Sequence, residues 1–574
     1  MPEQRNLILA IVLSVTIIIA FQYFYELPRI KQAQREVQPT EQVAEPAQPG
    51  EAPSAEVVAP APPGAPSGPE VARADILAKT ARIEIANPRV KGSLAVTGAR
   101  IDDLVLLDYR ETPDPSSPNV TLLSPAEAPG AYFAEFGWVA GDGDTPVPDR
   151  NTEWQADGTE LRPDKPVTLS WDNGAGLRFE QQIAIDDDYM FTITQRVVNT
   201  GDASVTLHPY GLISRWGTPK TLGYYILHEG PIGVLDGTLE EIDYDDLQKD
   251  GKVALPSTGG WLGITDKYWL ASLIPDQKAS LTGTFQHFLA DGQDRYQVDY
   301  LSAPVTVAAG QSAEVSSRLF AGAKVVGLLD RYEEDYGIPL FDRAVDFGWF
   351  YFLTKPMFYT IHFFYIWTGN YGIAIIMLTL LVKLLFFPLA NKSYTSMSKM
   401  KKLQPKMMEL REKYGDDKAR MNQELMALYK QEKVNPMSGC LPIVVQIPVF
   451  FSLYKVLFVS IEMRHAPFFG WIQDLSAPDP TSVFNLFGLI PWDPPSMLHI
   501  GVWPLIMGIT MLLQQKLNPA PADPVQAKVM MFLPVMFTFL FATFPAGLVI
   551  YWTWNNILSI AQQWVIMKRM GVSA

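Results

Sequence analysis

A chain of 574 residues is too long for one ordinary domain, and its net charge of -15 excludes a general nucleic-acid-binding role. A single cysteine, Cys440, excludes an intrachain disulfide. Mean hydropathy close to zero comes from apolar residues gathered into long runs, which implies a water-soluble part and a lipid-soluble part.

Residues 7–25 form the first apolar run, 19 residues long and able to cross a hydrocarbon core of roughly 30 Å. A cleaved signal peptide is the competing reading. No small-residue cleavage site follows, and Phe21, Tyr23, Phe24 and Tyr25 resemble an interfacial aromatic belt, so 1–25 is expected to stay as a membrane anchor. Residues 26–74 are rich in Pro, Ala, Glu and Gln and read as a disordered linker. From 75 to 335 the pattern is β-rich. Residues 177–185 and 190–198 alternate apolar and polar side chains around Asp186-Asp187-Asp188, a turn sequence, and 82–85, 167–171 and 261–275 are further strand-like runs. No helix-period segment of any length is visible there, so an all-β sandwich is expected. His208, His228 and His287 lack metal-ligand spacing and read as structural.

Residues 336–355 close that domain. Phe341, Val345, Gly348, Trp349 and Phe352 recur at helical spacing, which predicts an amphipathic helix in the membrane interface or, alternatively, one packed on the sandwich. The remaining apolar runs predict five more spans: a second within 356–390, with an aromatic piece set off by Gly369-Asn370; a third within 437–461; a fourth at 498–516; a fifth and sixth within 529–567, joined at Phe544-Pro545-Ala546-Gly547. The links are 462–497 outside the cytoplasm and 517–528 inside it, with a short tail at 568–574. Segment 391–436 is different. Its residues 391–434 carry 11 Lys/Arg against 6 Asp/Glu, a net +5 that leaves -20 elsewhere. With six spans this segment, Arg5, Lys568 and Arg569 share one side, which the positive-inside rule makes cytoplasmic and which places 26–355 in a periplasm. A break at Gly415, a cap at Asp416-Asp417 and a stop at Asn435-Pro436 predict a helical hairpin whose methionines suit variable partners and whose lysines suit anionic lipid.

Lys383 is the one charge in residues 371–390. It lies eight residues before Asn391, about 12 Å along a helix, which strains but does not exclude snorkelling to the surface. The other reading is a water-filled cavity. Thr379 one turn earlier, Gln446 in the third span, Gln514 and Gln515 at the end of the fourth, and Tyr551, Asn555, Ser559 and Gln562 along the sixth, beside Trp552, Asn556 and Gln563, support a polar groove. Interhelical hydrogen bonding alone is the simpler account of some of them. No covalent chemistry and no cofactor or metal site is visible, so the chain does not read as an enzyme.

Several ordered blocks resemble the YidC membrane-protein insertases: Leu403-Gln-Pro-Lys406, Tyr414-Gly-Asp-Asp-Lys418, Met426-Ala-Leu-Tyr-Lys430, Val434-Asn-Pro436, Gly439-Cys-Leu-Pro442, Ala466-Pro-Phe468, Trp471-Ile-Gln-Asp-Leu-Ser476 and Phe544-Pro-Ala-Gly-Leu548, with Gly259-Gly-Trp261 more weakly. The resemblance implies a mixed fold: a polytopic α-helical membrane bundle of six spans, five forming the core, plus a periplasmic β-super-sandwich similar to sugar mutarotases without their activity. It implies insertion and folding of nascent inner-membrane proteins, alone or with the Sec translocon. Segment 391–436 is the expected contact for ribosomes and the signal-recognition-particle receptor, and membrane lipids are further partners. Of the groove residues, it implies Lys383, where the family usually has arginine, the substrate-contacting Thr379 and the aromatic Trp552; the polar pattern itself adds Gln446, Gln515, Tyr551 and Asn555. Members with long basic tails use them toward ribosomes; the expected tail here, 568–574, is short.

Overall fold

The structure is a computed structural model that describes residues 73–221, 227–414, 417–432, 434, 441–490, 492, 499–518 and 524–571. The expected anchor at 1–25, nearly all of the linker, Asn435-Pro436, Cys440 and the last three residues lie outside the described residues.

Among the described residues the β-domain consists of two sheets, one of eleven strands and one of nine. Alternation in the sequence becomes alternation in burial. Along Leu177–Ile185 every second side chain is buried, and the strand pairs antiparallel with Met190–Asn199. The turn between them is built as its sequence suggests: the Asp186 carboxylate accepts the amides of Asp188 (2.9 Å) and Met190 (3.0 Å). The apolar run 261–275 is a hairpin rather than one strand. Trp261–Thr265 pairs with Trp269–Ile274 across a turn at Asp266-Lys267-Tyr268, where polar residues interrupt the run. Gly259 and Gly260 lead into it with φ of +65° and +92°, and a Cβ on Gly260 would stand 2.1 Å from the Val234 carbonyl oxygen. That close approach explains the paired glycines before Trp261.

Trp261 is fully buried, donates its indole N–H to the Pro339 carbonyl (3.0 Å) and meets Phe341 edge-to-face at 5.4 Å. Replacing it by alanine removes a large core side chain and orphans that carbonyl. Trp261→Ala is expected to cost about 3–5 kcal/mol, read as a lowered β-domain transition in calorimetry of the purified chain.

Helices do enter this region. A short one spans Tyr244–Asp250, and α1, Val326–Tyr336, packs its Leu328, Leu329 and Tyr332 into the sandwich. The amphipathic helix expected over 341–353 does not form as one unit. A single 3-10 turn covers Phe341–Ala344; Phe341 and Val345 are buried in the core, while Trp349 and Phe352 are 86% and 74% exposed. The helix that follows, α2, starts at Tyr351 and ends at Thr368, where Gly369 (φ +66°) stops it.

Asn370 then caps α3, Tyr371–Leu385, its side chain accepting the Ile373 amide at 3.1 Å. At Phe386 the chain bends by 69° into α4, Phe387–Tyr414. The second apolar stretch is thus two helices and a bend, not one rod. Helix α5, Lys418–Gln431, begins at Asp417, whose carboxylate accepts the Arg420 amide at 3.0 Å, and pairs with α4 as a hairpin; Pro405 lies within α4 without ending it. Next come α6 (Leu441–Val459), α7 (Val502–Leu517), α8 (Pro524–Phe541) and α9 (Ala546–Arg569). Among the described residues no single helix is long and apolar enough to cross a membrane, and the bent pair α3–α4 meets that condition together. With 15 and 16 residues, α3 and α7 are about 23 and 24 Å long, against a hydrocarbon core of roughly 30 Å.

The connection between α6 and α7 caps the helices beside it. Leu475 and Ala477 carbonyls accept the first amides of α9, from Gly547 (3.0 Å) and Ala546 (2.7 Å), and Asp479 accepts the Trp503 amide at 2.9 Å. The same region holds the β-domain. Glu462 accepts the Val326 amide at the start of α1 (2.9 Å), Lys455 pairs with Asp346 (2.9 Å), and Arg464 donates to the Arg110 carbonyl (2.6 Å).

Candidate functional site

The helical part has its polarity reversed. Leu384 and Leu385 of α3 are 70% and 72% exposed, and Met531 and Phe532 of α8 are 62% and 63% exposed. Between the helices lie Ser452, Thr510, Thr538, Thr553, Asn556, Ser559 and Gln563, all buried. Water would reject such an outer surface, whereas hydrocarbon accepts it and drives polar groups inward to find partners. Gly508 lets α7 and α8 approach so closely that a Cβ there would lie 2.1 Å from the Thr538 hydroxyl oxygen.

Lys383 sits in this interior. Its Nζ donates to Ser559 Oγ of α9 at 2.6 Å, and that hydroxyl in turn donates to the Asn555 carbonyl at 2.8 Å. The Ser559 proton is thereby committed to its own helix, leaving oxygen lone pairs for the ammonium. Tyr394 of α4 is a further hydrogen-bond partner of Ser559. Among the described residues no carboxylate forms an ion pair with Lys383, so a full charge is matched only by a neutral hydroxyl. Lys383 stands in the last turn of α3, and burying an ammonium there without a carboxylate carries a desolvation cost that folding alone gives no reason to bear.

The remaining expected residues divide. Gln446 of α6 donates to the Tyr551 hydroxyl of α9. Tyr551, Asn555 and Ser559, spaced by four, form one face of α9 toward α3 and α6. Asn556 and Gln563 form another face: they donate to Thr510 and Asn518, each at 3.1 Å, and tie α9 to α7. The stripe read as one in the sequence is therefore two, one near the lysine and one holding helices together. Trp552 stands apart from both, edge-on to Phe450 at 4.9 Å and near Phe541 at 5.4 Å. The Thr379 hydroxyl is buried and donates to its own Ile375 carbonyl at 2.8 Å, so it does not reach Lys383. Gln515 Oε1 is buried without a hydrogen-bond partner among the described residues. Ser559, the lysine's actual partner, is marked in the sequence only as the third member of the four-residue spacing that starts at Tyr551.

The three β-domain histidines are each engaged locally: His208 with the Ser302 carbonyl (3.1 Å), His228 with the Pro231 carbonyl (2.9 Å) and His287 with Asp294 (2.9 Å). No group of three or more His, Cys, Asp and Glu that could hold a metal occurs among the described residues.

A family model described as the YidC periplasmic domain matches residues 82–360, and one described as the 60Kd inner membrane protein matches 363–572. The chain belongs to the YidC family of membrane-protein insertases. It is 51% identical over 592 aligned positions to a membrane protein insertase YidC of Methylobacterium radiotolerans, covering 99% of this chain and 96% of that one. It is 52% identical over 583 positions to the membrane protein insertase YidC of Rhizobium meliloti, covering 100% and 97%. A crystal structure titled as an active YidC insertase with its first transmembrane domain resolved aligns over 84% of this chain and 92% of that one, at 17% identity and a TM-score of 0.35. The two-sheet domain is accordingly the periplasmic part of an inner-membrane insertase, and the inverted bundle is its membrane part.

Proposed function

We propose that this insertase moves the polar end of a nascent membrane protein across the bilayer along the interior face formed by Lys383, Gln446, Tyr551, Asn555 and Ser559. The observation that carries the reading is Lys383, a buried cation whose hydrogen-bond partner among the described residues is a hydroxyl. A cation matched that weakly keeps its attraction for an incoming acidic side chain, which a lysine already paired with a carboxylate would have lost. Water in that groove lets the substrate's polar segment advance without meeting hydrocarbon. The short α3 and α7 favour local thinning of the bilayer, which shortens the crossing. The membrane potential then assists outward movement of negative charge by about 2.3 kcal/mol per charge per 100 mV. The substrate's apolar helix leaves sideways into lipid along the exposed faces of α6 and α8. No bond is made or broken.

In this reading both termini are cytoplasmic, 26–355 is periplasmic, and the basic hairpin α4–α5 faces the ribosome and the signal-recognition-particle receptor. Larger substrates are shared with the Sec translocon. Photo-crosslinkers placed at Thr379, Gln446 and Trp552 test the path. A stalled nascent membrane protein is expected to crosslink strongly from Gln446, on the face with Tyr551, and weakly from Thr379, whose side chain is buried. Crosslinks from none of the three, with ready crosslinks from exposed positions on α2, would refute the groove.

A further inference from the structure

Where the β-domain meets α6, the structure leaves an open cleft of about 1260 Å³. Ordinary small-molecule sites occupy roughly 300–1,000 Å³. One wall is apolar, from Phe451 and Tyr454 of α6 and from Trp349, which is 86% exposed. The rest of the lining is largely charged.

Much of that charge is already matched. Asp346 pairs with Lys455 at 2.9 Å, Asp246 with Lys249 at 2.7 Å and Asp243 with His228 at 3.4 Å, while Glu229 accepts the Lys267 amide at 3.2 Å. Three groups remain. Arg343 stacks on the Tyr351 ring at 3.5 Å, and its neighbour Asp342 is taken by Lys355 at 2.6 Å. Glu241 and Asp245 also line the cleft, and none of the ion pairs among the described residues uses Arg343, Glu241 or Asp245. The lining thus offers a guanidinium and two carboxylates, and it reaches α6, where Phe451 is 47% exposed.

We propose that this cleft holds an ethanolamine-type phospholipid of the outer leaflet, its phosphate at Arg343, its ammonium at Glu241 and Asp245, and its chains along Phe451 and Tyr454. The placement rests on the β-domain being periplasmic, as the family match has it. Guanidinium recognises phosphate through paired N–H donors, and a primary ammonium gives carboxylates three donors. A glycerol headgroup brings no cation to the carboxylates, and a choline headgroup brings a cation without an N–H. A basic amphipathic peptide would use the carboxylates and leave Arg343 idle, so a lipid accounts for more of the wall.

The test uses the full chain in nanodiscs of equal ethanolamine, choline and glycerol phospholipids, with the lipids that survive delipidation counted by native mass spectrometry. Ethanolamine lipid is expected to be retained about fivefold over glycerol lipid. The double variant Glu241→Gln/Asp245→Asn should lose that preference while melting close to the parent, because neither carboxylate belongs to an ion pair among the described residues. Arg343→Gln should lower retention of all three lipids. Equal retention of the lipids by the parent, or a preference unchanged in the double variant, overturns the proposal. So does a basic amphipathic peptide that displaces the lipid equally well from the parent and from Arg343→Gln.

Discussion

Lys383→Met is expected to give a protein that melts no lower than the parent yet inserts acidic substrates about tenfold less well, the equivalent of roughly 1.4 kcal/mol. The two halves of this result have one cause. Removing one member of a buried ion pair normally leaves an orphan charge and destabilises strongly. Here the partner is the Ser559 hydroxyl, whose proton stays on the Asn555 carbonyl whether or not the ammonium is present. Nothing charged is stranded, and an apolar side chain of similar length fills the space among Leu378, Val382 and their neighbours. A site that lowers stability and raises activity is the usual signature of function. Lys383→Arg should keep most insertion, since the charge persists. Lys383→Glu should fall below Lys383→Met, because it repels the acidic segment. Protease protection of a pulse-labelled substrate with acidic residues in its translocated end measures all three. A Glu variant that inserts this substrate as the parent does would remove charge attraction from the mechanism.

Much of this site is legible in the sequence because a lysine in an apolar run is conspicuous at any register. Period-four spacing in α9 likewise marks its polar residues. What spacing cannot supply is which neighbour each residue faces. Tyr551 and Trp552 are adjacent in sequence, yet one bonds Gln446 while the other joins Phe450 and Phe541 in an aromatic cluster. Thr379 falls on the lysine's side by spacing, but a buried hydroxyl in a helix readily returns to the carbonyl four residues back, and it does so here.

In the β-domain, alternation with turn chemistry between strands located Leu177–Ile185 and Met190–Asn199 closely. Residues 341–353 misled because Phe and Trp at helical spacing suit a membrane surface and a protein core equally well. Phe341 and Val345 are buried in the core while Trp349 and Phe352 are exposed, so the pattern is divided between the two environments and the helix starts only at Tyr351. The bend at Phe386 does have a local signal in Pro388, which lacks an N–H and whose ring excludes the Leu384 carbonyl of a continuous helix. Pro388 then falls in the first turn of α4, where proline is tolerated, so the chain restarts as a helix after the 69° bend.

Glu462 should make the junction between the two parts of the molecule weaker as pH rises. Its carboxyl is wholly buried beneath α1, and burial pushes it up to about 7 from an ordinary value near 4.5. One oxygen accepts the Val326 amide, and the other has no hydrogen-bond partner among the described residues. Between those two pH values the folded chain keeps a proton that the unfolded chain releases. The group's contribution to stability is therefore complete below about 4.5 and is lost as pH climbs through about 7. A shift of that size corresponds to something on the order of 3 kcal/mol. Glu462→Gln keeps an acceptor for the Val326 amide and abolishes the titration. The variant is expected to melt with the parent near pH 5 and clearly above it at pH 8. A residual slope should persist in both, because Asp299, pushed up to about 6 by burial in the β-domain, acts in the same direction. Melting midpoints of the detergent-solubilised chain at both pH values decide the matter, and parallel profiles for parent and variant would show that Glu462 is already ionised in the fold. Since Glu462 follows α6 directly and Val326 opens α1, any loosening it produces is felt where the periplasmic domain is fastened to the insertase core.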